Sequence, residues 1–71
     1  MRLRCIKKHR FFEEGVRYEF HDDGIDESDG VHYYGAHTPE VPGGYFYFNI
    51  DDRESSECYL YDYFQQFKYG K

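Results

Sequence analysis

The stretch VRYEFH, residues 16–21, decides the fold class, because apolar and polar side chains alternate along it without interruption. A period of two is typical of a β-strand with one buried and one solvated face. We therefore expect Val16, Tyr18 and Phe20 to face a hydrophobic core and the three polar side chains of the stretch to face water. This segment predicts a strand more clearly than any other in the chain.

Outward from this strand, four further segments have the composition of short strands. Leu3–Lys8 mixes apolar residues with long cationic ones, which is typical of an edge strand that is protected from pairing with another molecule. Val31–Gly35 is a short strand-like run, and Tyr45–Ile50 presents large side chains on both faces, so we place it centrally. After a charged turn, Ser55–Tyr61 is expected to return as the fifth strand.

Two segments rich in turn-forming residues separate these strands. Residues 22–30, DDGIDESDG, hold five acidic side chains and two glycines, so we expect an exposed loop. Residues 36–44, AHTPEVPGG, hold both prolines and form a second loop.

The aromatic tail, residues 59–68, fits two structures. Apolar side chains at positions 60, 63, 64 and 67 follow a helical spacing, whereas the tyrosines at 59, 61 and 63 alternate as in a strand. We favour a strand followed by a short helical turn near Tyr61–Gln65. The alternative is an antiparallel sheet with a regular C-terminal helix.

A chain of 71 residues with nine Tyr and seven Phe has room for one domain with an aromatic core. A domain of this length buries only about 60% of the surface that its unfolded chain exposes, and each large ring supplies about 150–250 Å² of that burial. Short strands at intervals of about ten residues suggest a sandwich or a barrel, and barrel closure removes exposed strand edges. The predicted fold is therefore all-β, a small five-stranded barrel over residues 1–71.

Three stretches carry a family likeness: RCIK at residues 4–7, FEEGVRYE at 12–19 and GYFYF at 44–48, followed by a charged turn and a final aromatic stretch. In this order they resemble the outline of small bacteriophage-encoded proteins with SH3-like barrels, over nearly the whole chain. The acidic stretch 22–30 is longer and more charged than that outline requires. The resemblance implies an SH3-like barrel with a short helical turn near the C-terminus, and a viral origin. It assigns no functional residue.

The cysteines and the N-terminus predict a reduced protein of the cytoplasm, which would be the host cytoplasm if the chain is viral. Cys5 and Cys58 lie far apart without a CxxC pair, so we expect free, half-buried thiols, unless neighbouring terminal strands bring them together. Residues 1–10 are basic and are not followed by an apolar segment, which speaks against an export signal. No stretch approaches the roughly 18–20 apolar residues that span a bilayer.

No residue pattern predicts catalysis, a metal or a cofactor. His9, His21, His32 and His37 stand in four different segments, so we expect scattered surface histidines rather than metal ligands or acid–base groups. The acidic loop lacks the ligand register of a calcium loop. The serines lack a GxSxG context, and the only adjacent glycines form a turn rather than a phosphate cradle. The sequence therefore predicts a protein that is not an enzyme.

Charge is distributed unevenly and suggests a binding function. Residues 1–17 carry six basic and two acidic side chains, residues 18–71 carry three basic and twelve acidic ones, and the net charge is −5. Clustered carboxylates beside tyrosine anchors form a surface that can attract a basic partner and raise the association rate. The alternative is that the acidity only keeps the protein soluble. This predicts a phage-type module that binds and inhibits or redirects a host protein, of the defence-nuclease or transcription-factor class. The candidate protein-binding residues are Asp22, Asp23, Asp26, Glu27, Asp29, Tyr45, Tyr47, Asp51 and Asp52.

Two other functions stay open. Small barrels bind single-stranded nucleic acid through exposed aromatic rings beside basic groups, and Arg2, Arg4, Lys7 and Arg10 are the candidates for such a site. The net charge of −5 opposes this function. In a structural or assembly role, the chain would instead form a symmetric homo-oligomer.

Overall fold

Five short strands dominate the structure, a computed structural model that describes residues 1–66. In chain order the elements are β1 Arg2–Arg4, β2 Arg17–Glu19, β3 His21–Ile25, β4 His32–His37, β5 Tyr45–Asn49, a 3₁₀ turn Ser56–Cys58 and α1 Leu60–Tyr63. β1 and β2 form a two-stranded antiparallel sheet, and β3, β4 and β5 form a three-stranded antiparallel sheet in that order. The predicted β-rich class is confirmed.

These strands form two separate sheets, and residues 1–66 contain no closed barrel. Short bridges supplement the sheets near the chain ends. Cys5 bridges Phe64, and the Gln65 N–H donates to the Arg4 carbonyl at 2.9 Å, so the end of the described chain lies beside β1. The family likeness implied a closed SH3-like barrel, whereas the described residues form two separate sheets.

The core between the sheets is built mainly from aromatic rings. The Phe64 ring packs edge-to-face against Phe20 with 4.8 Å between centroids, and against Phe48 with 5.5 Å. Phe64 follows α1 directly and its ring also lies 6.2 Å from the Tyr18 ring of β2, so this one ring joins the end of the helix to both sheets. The buried apolar residues are Leu3, Cys5, Phe12, Phe20, Tyr34, Ala36, Phe48, Leu60 and Phe64.

The strand around residues 16–21 is shorter than its sequence pattern suggests. Phe20 is 1% exposed, as predicted, but Val16 is 40% exposed. Val16 falls in the turn before β2, where Gly15 takes φ +90° and the Val16 N–H donates to the Glu13 carbonyl at 3.3 Å. β2 thus begins one residue too late for Val16 to face the core.

β3 is a strand where the sequence predicted only an exposed loop over residues 22–30. Its backbone pairs with β4, and the register shifts between Asp22 and Gly24 in a β-bulge, at which Gly24 takes φ +77°. None of its residues is fully buried. A strand without a buried face gives no alternating signal, so hydrophobic periodicity could not detect it. The placement of Tyr45–Ile50 was also wrong, because β5 lies at an edge and β4 at the centre.

The predicted fifth strand, Ser55–Tyr61, is instead the 3₁₀ turn and the start of α1. The buried side chain of Asn49 holds this bend together. Its Nδ2 donates to Ser55 Oγ at 2.7 Å and to the Cys58 carbonyl at 3.2 Å, and its Oδ1 accepts the Asp51 and Asp52 N–H groups. These four hydrogen bonds fold the segment back on itself.

The helical turn expected near Tyr61–Gln65 occurs at Leu60–Tyr63. It is a single turn rather than the alternative regular helix, since Phe64 is already extended with φ −129° and ψ 151°. Phe67, the last residue of the helical spacing, lies outside the described residues.

His9 is buried, contrary to the expectation of a surface histidine. Its side chain is 2% exposed. The Phe11 N–H donates to Nδ1 at 3.1 Å, so the ring proton must sit on Nε2, which lies 3.1 Å from the Glu57 carbonyl and donates to it. Burial lowers the pKa of this imidazole and so favours its neutral form. The surrounding rings are Phe11, Phe12, Phe46, Phe48 and Tyr63, at centroid distances of 4.7–6.0 Å.

The two cysteines are unpaired, and only one matches the expected half-buried environment. Cys5 is completely buried, whereas Cys58 is partly exposed in the 3₁₀ turn. The Cys5 thiol donates to the Lys7 carbonyl at 3.1 Å, and burial raises its pKa. Cys5 is therefore a protonated core residue rather than a nucleophile.

Candidate functional site

The three-stranded sheet carries no lysine or arginine. Between Arg17 and Arg53 the sequence holds nine acidic residues and not one Lys or Arg, and β3, β4 and β5 all lie inside this interval. The basic residues of the N-terminal part are on or next to the other sheet. The charge asymmetry of the sequence therefore becomes a difference in net charge between the two sheets.

One face of the three-stranded sheet is aromatic and points away from the core. Residues directly opposite each other in an antiparallel ladder share a face. The register pairs Gly35 with Tyr47 and His37 with Tyr45, while the alternate residues Ala36 and Phe48 are buried. We call the outward set the tyrosine face; it consists of His21, Tyr33, Gly35, His37, Tyr45 and Tyr47.

The rings of the tyrosine face contact one another in a continuous row. Tyr45 and Tyr47 meet edge-to-face with 5.0 Å between centroids, and Tyr33 meets Tyr47 at 6.4 Å. The His37 ring lies 5.0 Å from Tyr45. Tyr47 is 54% exposed, an unusual position for so large a ring in a domain with a small core. This row is therefore available to a partner.

Gly35 lets the Tyr45 ring lie directly on the sheet. A Cβ at position 35 would overlap the Cε2, Cζ and hydroxyl atoms of Tyr45. The glycine thus leaves room for the ring at the centre of the face, which is a known device for covering a bare backbone in a sheet. The strand predicted from the sequence ended at Gly35, with His37 in the second loop, whereas β4 continues to His37, so neither this face nor the ring that covers the glycine was predicted.

Two carboxylates hold the tyrosine hydroxyls in place. The Tyr45 hydroxyl donates to Asp23 Oδ2 and the Tyr33 hydroxyl donates to Asp29 Oδ2, each at 2.8 Å. Burial, the Asp23 hydrogen bond and the Asp23 charge together raise the pKa of Tyr45 to about 12, and the bond to Asp29 raises that of Tyr33. Both hydroxyls therefore remain protonated donors at any physiological pH.

A cleft opens beside these rings at the bulge of β3. Its volume is about 440 Å³, and it is lined by Asp23, Gly24, Asp26, Tyr33 and Tyr47. The bulge positions Asp23 next to the tyrosine face, since the Asp22 side chain accepts the Gly24 N–H at 2.9 Å and fixes the turn. The cleft therefore combines two aromatic walls with two carboxylates.

Most of the other predicted acidic residues support the local backbone. Asp26 Oδ1 accepts from the Ser28 N–H and hydroxyl, and Asp29 Oδ1 accepts from the Val31 N–H. Asp51 Oδ2 accepts from the His32 N–H, and Asp52 Oδ1 accepts from the Glu54 N–H. Glu27 is exposed in the loop between β3 and β4. Of the acidic candidates, only Asp23 and Asp26 line the cleft.

His32 pairs with Asp22 at the opposite side of the same sheet. Its Nε2 lies 2.7 Å from Asp22 Oδ1, and its ring stacks on Tyr34 with 4.9 Å between centroids. This contact and the Gly24 N–H lower the pKa of Asp22. Asp22 is thus a structural residue of the hairpin rather than part of the tyrosine face.

The basic candidates lie elsewhere and contact other rings. In the two-stranded sheet, Arg2 is opposite Glu19 and Arg4 is opposite Arg17. The Lys7 ammonium lies 5.4 Å above the Tyr63 ring. The Arg10 guanidinium lies 5.1 Å from the Phe11 ring, with its Nε 3.3 Å from Glu57 Oε1. None of the four lines the cleft, so the structure does not bring these basic groups together with Tyr33 and Tyr47.

Comparison of the chain with protein-family models, curated proteins and solved structures found no match. Within the part of the chain that the structure describes, no group of three or more His, Cys, Asp or Glu side chains is arranged to hold a metal ion. No helix among residues 1–66 is long and apolar enough to cross a membrane.

Proposed function

We propose that this protein is a non-enzymatic binding module that docks its tyrosine face onto a basic surface of another protein. The observation that carries the proposal is the union, on one face, of an exposed aromatic row and an acidic cleft without any lysine or arginine in its sheet. In keeping with the likeness to phage-encoded proteins, the partner is a host protein, of the defence-nuclease or transcription-factor class, which the module inhibits or redirects.

Tyrosine supplies the affinity of such an interface. Truncation of a buried interface tyrosine often costs 2 kcal/mol or more, roughly a 30-fold loss in affinity. Tyr47 is exposed before binding and is held by its contacts with Tyr33 and Tyr45, so little rotamer freedom remains to be lost on docking. The face is thus preorganised for contact.

The carboxylates supply attraction at a distance. A surface of one sign raises association rates with an oppositely charged partner by about 10- to 1,000-fold at low salt, and salt removes the effect. An anionic partner would be repelled by the same surface. The charge of the sheet therefore selects basic proteins.

The test compares proteins captured from host lysate by the wild-type chain and by three variants. Tyr47→Ala removes the most exposed ring of the face, and Asp23→Asn with Asp26→Asn removes the cleft charges. Ile6→Ala is the matched control, because Ile6 is similarly exposed, at 51% against 54% for Tyr47, but lies outside the tyrosine face.

We expect the wild type and Ile6→Ala to retain one or more basic proteins and Tyr47→Ala to lose them. The association rate of a captured protein should be lower with Asp23→Asn plus Asp26→Asn than with the wild type. A captured set that is the same for all four proteins would refute the proposed surface.

The nucleic-acid alternative would use the other sheet. Arg2, Arg4 and Arg17 are all exposed there, and Arg4 and Arg17 are cross-strand neighbours without an opposite charge between them in the register. Such a site would retain a fluorescent single-stranded oligonucleotide at 20 mM salt and release it as salt rises. Fluorescence anisotropy that stays flat at low salt would exclude this function.

A further inference from the structure

The cleft beside Tyr33 and Tyr47 has the size of a site for one extended side chain rather than for a folded surface. Its 440 Å³ is near the lower end of the roughly 300–1,000 Å³ typical of ligand pockets. Its residues come from β3, from the loop after it, and from the other two strands of the sheet. A partner would therefore insert a single group here while the rest of its surface rests on the tyrosine face.

The two carboxylates of the cleft each keep an oxygen for a ligand. Asp23 Oδ2 accepts the Tyr45 hydroxyl, and Asp26 Oδ1 accepts the Ser28 groups. Asp23 Oδ1 and Asp26 Oδ2 accept no hydrogen bond from residues 1–66. The engaged oxygens fix both carboxylates in place, so the remaining two present acceptors in a fixed arrangement.

The walls of the cleft favour a flat cation. Both tyrosines line the cleft, and their rings are inclined at 82° to each other. A guanidinium stacks on an aromatic face and at the same time directs in-plane N–H groups at carboxylates. An ammonium group has a compact charge without a plane and uses only part of this geometry.

Among residues 1–66, no lysine or arginine lines the cleft. The sequence between Arg17 and Arg53 contains neither residue. A cation from the partner would meet two negative side chains in the cleft, whereas an anionic ligand would be repelled by them. The charge complementarity thus points to a cationic occupant.

We propose that this cleft binds one arginine side chain of the partner protein, with its guanidinium against the tyrosine rings and its N–H groups on Asp23 and Asp26. This inference rests on the proposed function, since it names the group that the basic partner inserts. Arginine has five N–H donors in a rigid fork, enough for two separate carboxylates.

The test is a titration of isotope-labelled protein with N-acetyl-arginine N-methylamide, followed by amide chemical shifts at 20 mM salt. We expect saturable shifts at residues 23–26, 33 and 47, smaller shifts with the lysine analogue, and none with the alanine analogue. Asp23→Asn with Asp26→Asn should abolish the response. The charge-matched control is Glu40→Gln with Glu54→Gln, which removes two exposed carboxylates outside the cleft and should leave the response intact.

Three results would overturn the assignment: no shift at the cleft, an equal response to the lysine analogue, or an equal loss in both double variants. The proposed function fails separately. If capture of a basic protein depends on Tyr47 while the arginine probe leaves the cleft unshifted, the face binds its partner without an arginine anchor. If the probe binds the cleft but no protein is captured, the docking function is wrong.

Discussion

Replacement of Gly35 by alanine should destabilise the protein, and the effect should depend entirely on Tyr45. In the wild type, the new Cβ overlaps the Tyr45 ring, so the ring must move off the sheet and strain or lose its hydrogen bond to Asp23. Overpacking of this kind costs about 1–3 kcal/mol. The loss of glycine entropy from the unfolded chain offsets about 0.4–1 kcal/mol of that cost. The expected net loss therefore lies between about 0 and 2.6 kcal/mol, with a midpoint near 1.3 kcal/mol.

In a Tyr45→Ala background the same substitution meets no ring. Only the entropic gain remains there, so Gly35→Ala should now stabilise the protein by about 0.4–1 kcal/mol. The entropic gain is the same in both backgrounds and cancels, so the coupling energy between the two positions equals the overpacking cost of about 1–3 kcal/mol, which is above the error of a double-mutant cycle.

Urea denaturation of the four proteins measures this cycle. For a domain of this size, a loss of 1 kcal/mol also lowers Tm by about 4–8 °C, which provides a second readout. An effect of Gly35→Ala that has the same sign and size in both backgrounds would refute the claim that the Tyr45 ring rests on Gly35.

Three further predictions concern the rest of the structure. The folded-state pKa of His9 lies below its ordinary value of 6.5. The free energy of unfolding should therefore be full above about pH 6.5 and fall as the pH is lowered toward the folded pKa. Urea titrations between pH 7.5 and 5.0 check this, and a flat profile would contradict a neutral, buried His9. Asn49→Ala should cost about 1–3 kcal/mol in urea denaturation, because it removes the four hydrogen bonds of a buried amide. A change within error would show that the bend at residues 50–58 does not need this side chain. A maleimide reagent should label Cys58 in the native protein and Cys5 only after unfolding. Native Cys58→Ser protein should therefore show no rapid labelling. Equal labelling rates of the two cysteines in the native wild type would contradict the burial of Cys5.

Strands with one buried face were predictable from the sequence. The alternation that ends at Phe20 and the aromatic run at Tyr45 mark β2 and β5, because the large rings of Tyr18, Phe20 and Phe48 lie in the core or pack against it. β3 could not be recognised in this way. Its stability comes from pairing with β4 and from polar contacts such as Asp22 with His32, and such contacts leave no periodic pattern.

The bend that replaces the predicted fifth strand depends on a single buried amide. The sequence placed Asn49 in a strand. The neighbouring residues give no signal that its side chain forms four hydrogen bonds with residues 51–58. The burial of His9 was hidden for a similar reason. Its neighbours in sequence are charged, while the rings that surround it include Phe46 and Tyr63, which are remote in the chain.

The candidate site was predictable in composition but not in arrangement. The sequence singled out the acidic loop and Tyr45 and Tyr47, which the structure places on one sheet. It could not show that Asp23 reaches Tyr45 across 22 residues, since this contact depends on the register and on the bulge of β3. It also treated all five loop carboxylates alike, whereas only Asp23 and Asp26 line the cleft.

The most direct test of the docking face is a map of amide shifts in the labelled protein when the captured partner is added. If the tyrosine face is the contact surface, the largest changes fall on β4 and β5 around Tyr33 and Tyr47 and on Asp23 and Gly24 of the bulge, while β1 stays unchanged. Changes concentrated on Arg2–Arg4 and Arg17, with the three-stranded sheet unaffected, would contradict it.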